Sequence, residues 1–83
     1  MQIGEFAKLC DTRISVLRHY DSVGLLTPDY IDRFTGYRYY SAEQIDVYMR
    51  IDALKKAGFS LKEIADILPY SDDSNVIMKH IES

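Results

Sequence analysis

Arg13, Ser15, Arg18, His19 and Tyr20 crowd into the short stretch RISVLRHY, with Thr12 just ahead of it. A guanidinium presents a planar fork of donors to phosphate oxygens or to a guanine edge, and hydroxyl and imidazole groups add further donors and acceptors. The chemistry of such a set is recognition of an oxygen-rich anion rather than catalysis. A second group of the same character comes at GYRYY, where Tyr37, Arg38, Tyr39 and Tyr40 alternate. On an extended strand Arg38 and Tyr40 face one side, and Tyr37 and Tyr39 face the other. A plainer arrangement uses the same residues: Arg18 can pair with Asp21 three positions on as a surface salt bridge, and Tyr20 can be half-buried in the core.

The charge balance opposes a nucleic-acid partner at first sight. Ten Lys and Arg are outnumbered by 13 Asp and Glu, for a net charge of −3, and nucleic-acid binders are usually basic. Location settles the conflict. Residues 1–40 carry Lys8, Arg13, Arg18, Arg33 and Arg38 against Glu5, Asp11, Asp21, Asp29 and Asp32, which is neutral, so the deficit falls in residues 41–83. A neutral surface is not repelled by phosphates, but a lone domain of this kind should bind weakly, near the non-specific range of roughly 10⁻⁴ to 10⁻⁶ M.

Other function classes find little support. No nucleophile stands at motif spacing from a base, no Gly-rich loop is placed to cradle phosphates, and no paired carboxylates suggest a pocket. The expectation is no enzyme and no cofactor. His19 and His80 have no Cys or His partner at metal spacing, so no metal is expected either. Cys10 reads as a small buried hydrophobe. The 83 residues suit one domain with a modest core, and no apolar run approaches the roughly 20 residues that span a bilayer. With no basic leader ahead of an apolar block at the N-terminus, the expected location is the cytoplasm, away from membranes.

The elements that must position these groups are short helices and one hairpin. Ile3, Phe6, Ala7 and Cys10 fall at i, i+3, i+4 and i+7, which predicts a first helix with one apolar face. The sequence CDTR predicts a tight turn, with Asp11 tolerating a left-handed backbone and Thr12 capping the next helix. That second helix runs from about Arg13 to Ser22, burying Ile14 and Leu17 with Val16 at the margin, and Gly24 ends it. Two such helices have the outline of a helix-turn-helix.

DYIDRFTGYRYY predicts two short strands around a loop tipped by Arg33 and Gly36, the wing of a winged helix-turn-helix. Two capping boxes, SAEQ and SLKE, then open further helices. The first carries Ile45, Tyr48, Ile51 and Leu54 and ends at Gly58. The second buries Leu61, Ile64, Ala65 and Leu68 and is stopped by Pro69. The fold class expected is mainly α with a short β-hairpin wing. A last, unfinished helix carries Val76, Ile77 and Ile81.

The motifs IGEFAKLC, LRHYDSVGLL, GYRYYS and LKKAGFSLKEI, in this order, resemble the winged helix-turn-helix DNA-binding domain of the MerR family of bacterial transcription regulators. The resemblance covers about Gln2 to Leu68. It implies that Arg13 to Tyr20 form the recognition helix, that DRFTGYRYY is the first wing, and that the pair around LKKAGFS is the second. Arg18, His19 and Tyr20 match a family group that contacts phosphates and base edges. Arg38, flanked by Tyr37 and Tyr39, matches the wing's backbone contacts, and Lys55 matches the basic residue before GFS. The expected DNA-binding set is therefore Thr12, Arg13, Ser15, Arg18, His19, Tyr20, Tyr37, Arg38, Tyr39 and Lys55. Asp11 and Arg13 depart from the family, which more often has Gly or Asn, and Ser, at those positions.

The resemblance also implies partners. Residues 1–70 would form the DNA-binding domain, and 71–83 would begin a dimerisation helix, starting near Ser74 and forming a coiled coil with a second subunit. Such homodimers bind a palindromic element in double-stranded promoter DNA and act on RNA polymerase indirectly, by twisting DNA whose promoter spacer is too long. The competing reading is an excisionase-like protein or a protein-interaction module on the same fold.

Overall fold

The computed structural model describes residues 1–72, so the expected dimerisation helix from about Ser74 lies outside the described residues. The chain divides into two units, Met1–Met49 and Arg50–Ser83, the second described as far as Asp72. The element order is α1 (Ile3–Leu9), α2 (Ile14–Ser22), β1 (Tyr30–Ile31), β2 (Arg38–Tyr39), α3 (Glu43–Lys56) and α4 (Leu61–Asp72). Four of the expected helices and the hairpin are present among the described residues.

In the first unit, the apolar spacing of α1 buries Phe6, Ala7 and Cys10, with Ile3 half-buried. Desolvation pushes the Cys10 thiol above its ordinary value, which suits a small core residue rather than a reactive one. Asp11 takes the left-handed conformation, at φ 54°, and Thr12 N donates to Ala7 O at 2.9 Å. Closing α1 in this way shifts the start of the next helix by one residue. Arg13, extended at φ −104° and ψ 150°, takes the N-cap position of α2 and has no side-chain capping bond. Thr12 is therefore not the cap expected of it; its backbone is committed to finishing α1.

Helix α2 buries Leu17 and Tyr20. Two expectations about its faces are corrected. Ile14 is 41% exposed, because it sits in the first turn, where its Cδ1 leans over Gly4 at the edge of the helix pair. Tyr20 is only 3% exposed, its ring tilted against Tyr48 at 6.2 Å between centroids. With a helical step of 100°, Leu17 and Tyr20 share a face, so burying the first carries the second inward. Gly24, at φ 75°, then turns the chain, and Leu25 N donates to Tyr20 O at 2.8 Å, delivering Leu25 and Leu26 to the core.

Strands β1 and β2 pair antiparallel, Tyr30 opposite Tyr39 and Ile31 opposite Arg38. The N-terminal residues extend this ribbon: Gln2 bridges to Tyr39, and Tyr40 N donates to Met1 O at 2.7 Å. Tyr40 enters the core beneath the hairpin and stacks on Phe6.

The first capping box closes from the glutamine side, and the second closes from both sides. Gln44 Oε1 accepts from Ser41 N at 3.0 Å, and Gln44 Nε2 donates to Thr27 O. In the second unit, Ser60 N donates to Glu63 Oε1 at 2.9 Å and Glu63 N donates to Ser60 Oγ at 3.1 Å. The Ser60 amide, and after it the Ser60 hydroxyl, hold the Glu63 carboxyl below its ordinary range. Ile51, Ile64 and Leu68 are buried in this unit. Ala65 is exposed rather than buried, and Pro69 does not stop α4, which continues to Asp72. The donor that Pro69 lacks would have served the Ala65 carbonyl, and on an exposed face that carbonyl can turn to water instead.

Candidate nucleic-acid interface

Arg13, Ser15, Arg18 and His19 are exposed along α2, while Leu17 and Tyr20 anchor the opposite face. The anchoring makes the exposed row a fixed surface rather than a floppy one. An open groove of about 330 Å³ runs from this row to the wing, and Ile14, Arg18, Gly36, Tyr37 and Arg38 line it together with Gln2, Ile3 and Gly4. Arg18 of the helix and Tyr37 and Arg38 of the wing thus line one concavity. Neither Gln2 nor Gly4 stood out in the sequence; Gln2 stands just ahead of the apolar periodicity and Gly4 inside it, and the Gln2–Tyr39 bridge ties this end of the chain to the wing.

The loop of the wing is built by its own side chains. Asp32 Oδ1 accepts from Phe34 N at 2.8 Å and from Thr35 N at 2.9 Å, Thr35 Oγ1 accepts from Tyr37 N, and Gly36 adopts φ 74°. The backbone donors of Thr35 and Phe34 hold the Asp32 carboxyl below its ordinary range. Phe34 stands 91% exposed at the tip. Tyr37 is more than half exposed, whereas Tyr39 is only partly so, its ring 5.8 Å from Tyr30 and its hydroxyl accepting from Gln2 Nε2 at 3.4 Å.

Arg38 reaches back to α2: its Nε donates to Asp21 Oδ2 at 3.0 Å. The sequence offered Arg18 as the partner of Asp21. The fold gives that carboxylate to Arg38, and among the described residues Arg18 forms no ion pair. Tyr40 lies within electrostatic reach of the pair. Burial chiefly raises its hydroxyl's pKa, the Asp21 carboxylate raises it further, and Arg38 opposes both.

Of the expected set, Arg13, Ser15, Arg18, His19, Tyr37 and Arg38 present surface in the first unit, with Thr12 and Tyr39 half-buried beside them. Tyr20 does not: its ring belongs to the core. Lys55 is exposed in the last turn of α3, in the second unit, where Gly58 N donates to Lys55 O at 3.0 Å. No group of His, Cys, Asp and Glu suited to a metal occurs among the described residues, and no described helix is long and apolar enough to cross a membrane.

Comparison with known proteins agrees with this geometry. Residues 1–71 match the family described as MerR HTH family regulatory protein. The chain is 46% identical over 61 residues to the multidrug-efflux transporter 2 regulator of Bacillus subtilis, covering 74% of this chain and 22% of that relative. It therefore spans less than a quarter of that regulator's length. Among solved structures, the EcmrR–DNA complex in EcmrR-RPo superimposes with a TM-score of 0.81 at 32% identity, covering 99% of this chain and 33% of that one. MtaN, the N-terminus of the Bacillus subtilis multidrug transporter activator, gives a TM-score of 0.76 at 27% identity, covering 99% of this chain and 85% of that one. On sequence and fold together, the chain belongs to the MerR HTH family of regulatory proteins and is a winged helix-turn-helix DNA-binding domain of a bacterial-type transcription regulator.

Proposed function

We propose that this domain binds a palindromic promoter element as one half of a homodimer, with α2 in the major groove and the hairpin wing on the adjacent backbone. The observation that carries the reading is the shared groove: Arg18 on α2 faces Tyr37 and Arg38 on the wing across one concavity. Two elements that converge on one anion-binding surface fit a duplex, where a helix enters the major groove and a flanking element tracks the phosphates. EcmrR, similar across nearly the whole chain, is seen in complex with DNA.

In this reading Arg13, Ser15 and His19 face base edges, and Arg18, Tyr37 and Arg38 hold phosphates. Thr12 and Tyr39 flank these contacts, Lys55 supplies a further phosphate contact, and Tyr20 supports the helix from behind. The homodimer forms through a helix beyond α4, which places two recognition helices on two half-sites, and regulation reaches RNA polymerase through the DNA. A regulator working in this way acts in the cytoplasm.

The test is a fluorescence-anisotropy titration against a duplex from the promoter of the protein's own gene and against a random duplex, each over a range of salt. The expected result is tighter binding to the promoter duplex, with both affinities falling linearly in log–log form as salt rises. Equal, salt-insensitive behaviour toward both duplexes would favour the protein-interaction module instead.

A further inference from the structure

Asp21 is an unexpected residue to find at a phosphate-binding surface, because a carboxylate there repels the ligand. Its geometry resolves the conflict. Asp21 is in the last turn of α2, Arg38 is in β2, and the two meet at 3.0 Å through Arg38 Nε, with the arginine side chain 36% exposed and the aspartate 20% exposed. A guanidinium carries five N–H donors in a rigid fork. Spending the Nε donor inward leaves the four Nη hydrogens for other partners, and Arg38 lines the groove that Arg18 and Tyr37 also line.

Resting on the DNA-binding surface proposed above, we propose that Asp21 is a positioning residue, which clamps Arg38 of the wing against the recognition helix so that its outer guanidinium edge is already aimed at a phosphate. The clamp acts on two quantities. It removes rotamer freedom from Arg38 before DNA arrives, so less is lost on binding. It also fixes the wing relative to α2, two segments joined by a long irregular stretch with only a two-residue ladder in the hairpin. A lysine at position 38 would keep the charge but lose the fork that serves carboxylate and phosphate at once.

The clamp and simple electrostatics predict opposite signs, which the 83-residue chain and a labelled duplex from the promoter of its own gene can tell apart. Asp21→Asn raises the net charge by one unit, so charge alone makes DNA binding tighter. The clamp makes it weaker, by roughly two- to tenfold, the range set by freeing one long side chain. In an Arg38→Ala background the same Asp21→Asn change should weaken nothing, because the residue it acts through is gone. Arg38→Lys, which keeps the charge but loses the fork, should bind more weakly than wild type, though less weakly than Arg38→Ala, while keeping the wild-type salt slope. Circular dichroism checks that each variant is folded.

If Asp21→Asn does not fold, Arg38→Lys decides the matter: wild-type affinity overturns the clamp, and weaker binding at an unchanged salt slope supports it. If Arg38→Ala weakens binding while Asp21→Asn binds as tightly as wild type or tighter, the clamp is wrong and the DNA-binding surface stands. If Arg38→Ala changes nothing, the wing is not a DNA contact and both fall.

Discussion

Phe6 and Tyr40 stack face to face, with ring centroids 4.4 Å apart and planes 14° from parallel. One ring comes from α1 and the other from the residue just after β2, so the helix-turn-helix and its wing share a core. The stack sets a first expectation. Phe6 is fully buried, and Phe6→Ala should cost about 3–5 kcal/mol, as large-to-small changes of buried aromatics do. In a domain of this size that approaches the total stability, so thermal unfolding should show a collapsed or missing transition. A Tm within a few degrees of wild type would contradict the packing.

Tyr40 allows a gentler test of the same core. Its hydroxyl is buried and finds no hydrogen-bond partner among the described residues. A buried unsatisfied hydroxyl costs roughly 1–3 kcal/mol, so Tyr40→Phe should leave stability unchanged or raise it. Urea unfolding measures this directly. A loss of more than about 1 kcal/mol would mean the hydroxyl has a partner that matters.

The sequence showed most of this architecture because its signals were local. The Ser60–Glu63 box closes both of the bonds it implies, and the Ser41–Gln44 box closes the one made by the Gln44 side chain. Asp11, read as a tolerated left-handed residue, has φ 54°. What escaped was whatever depends on distant neighbours. Arg18 was the natural partner of Asp21 by helical spacing, yet Arg38, 17 positions away, takes it. Periodicity placed Ile14 and Ala65 inward, and the resemblance put Tyr20 among the DNA contacts, but which face is covered depends on what packs there, and the fold exposes the first two and buries the third. Pro69 reads as a terminus in any local scheme, and α4 runs through it.

The loop of the wing carries a pH dependence whose sign is set by its hydrogen bonds. Asp32 is held below its ordinary value by the Thr35 and Phe34 amides. A group whose folded pKa is depressed contributes stability above its unfolded pKa, about 3.9 for Asp, and that contribution is lost as pH falls through the folded value. Loop order should therefore be constant near neutrality and decline below about pH 4. The Phe34 and Thr35 amide shifts, tracked by NMR, should titrate together with the Asp32 carboxyl, and Asp32→Ala should abolish the step. Amides indifferent to pH in that range would remove Asp32 from the loop's support.

Dimerisation should matter more than any single contact. A longer chain carrying a complete coiled coil is expected to be dimeric in sedimentation and to bind the promoter duplex far more tightly than the 83-residue chain. Two recognition helices held about one DNA turn apart, ~34 Å, engage two half-sites together. Equal affinity for the two chains would contradict the half-site arrangement.

Base reading and phosphate holding should separate by mutation. Arg13→Ala or His19→Ala should narrow the affinity ratio between promoter and random duplexes where the side chain touches a base edge, since a lost base contact costs only on the right sequence, by roughly 1–3 kcal/mol for a bidentate pair. An unchanged ratio for both variants would move base readout to another part of α2, with Ser15 the exposed candidate left.

The central claim, that α2 and the wing form one DNA-binding surface, is tested most directly at Arg18, the helix residue that lines the groove with Tyr37 and Arg38. The measurement is the salt dependence of affinity for wild type and Arg18→Ala, on promoter and random duplexes alike. A shared surface predicts weaker binding to both duplexes and a log–log slope shallower by about one unit, one counterion per lost phosphate contact. Unchanged affinity and slope would contradict it, and the protein-interaction reading of this fold would then be the better one.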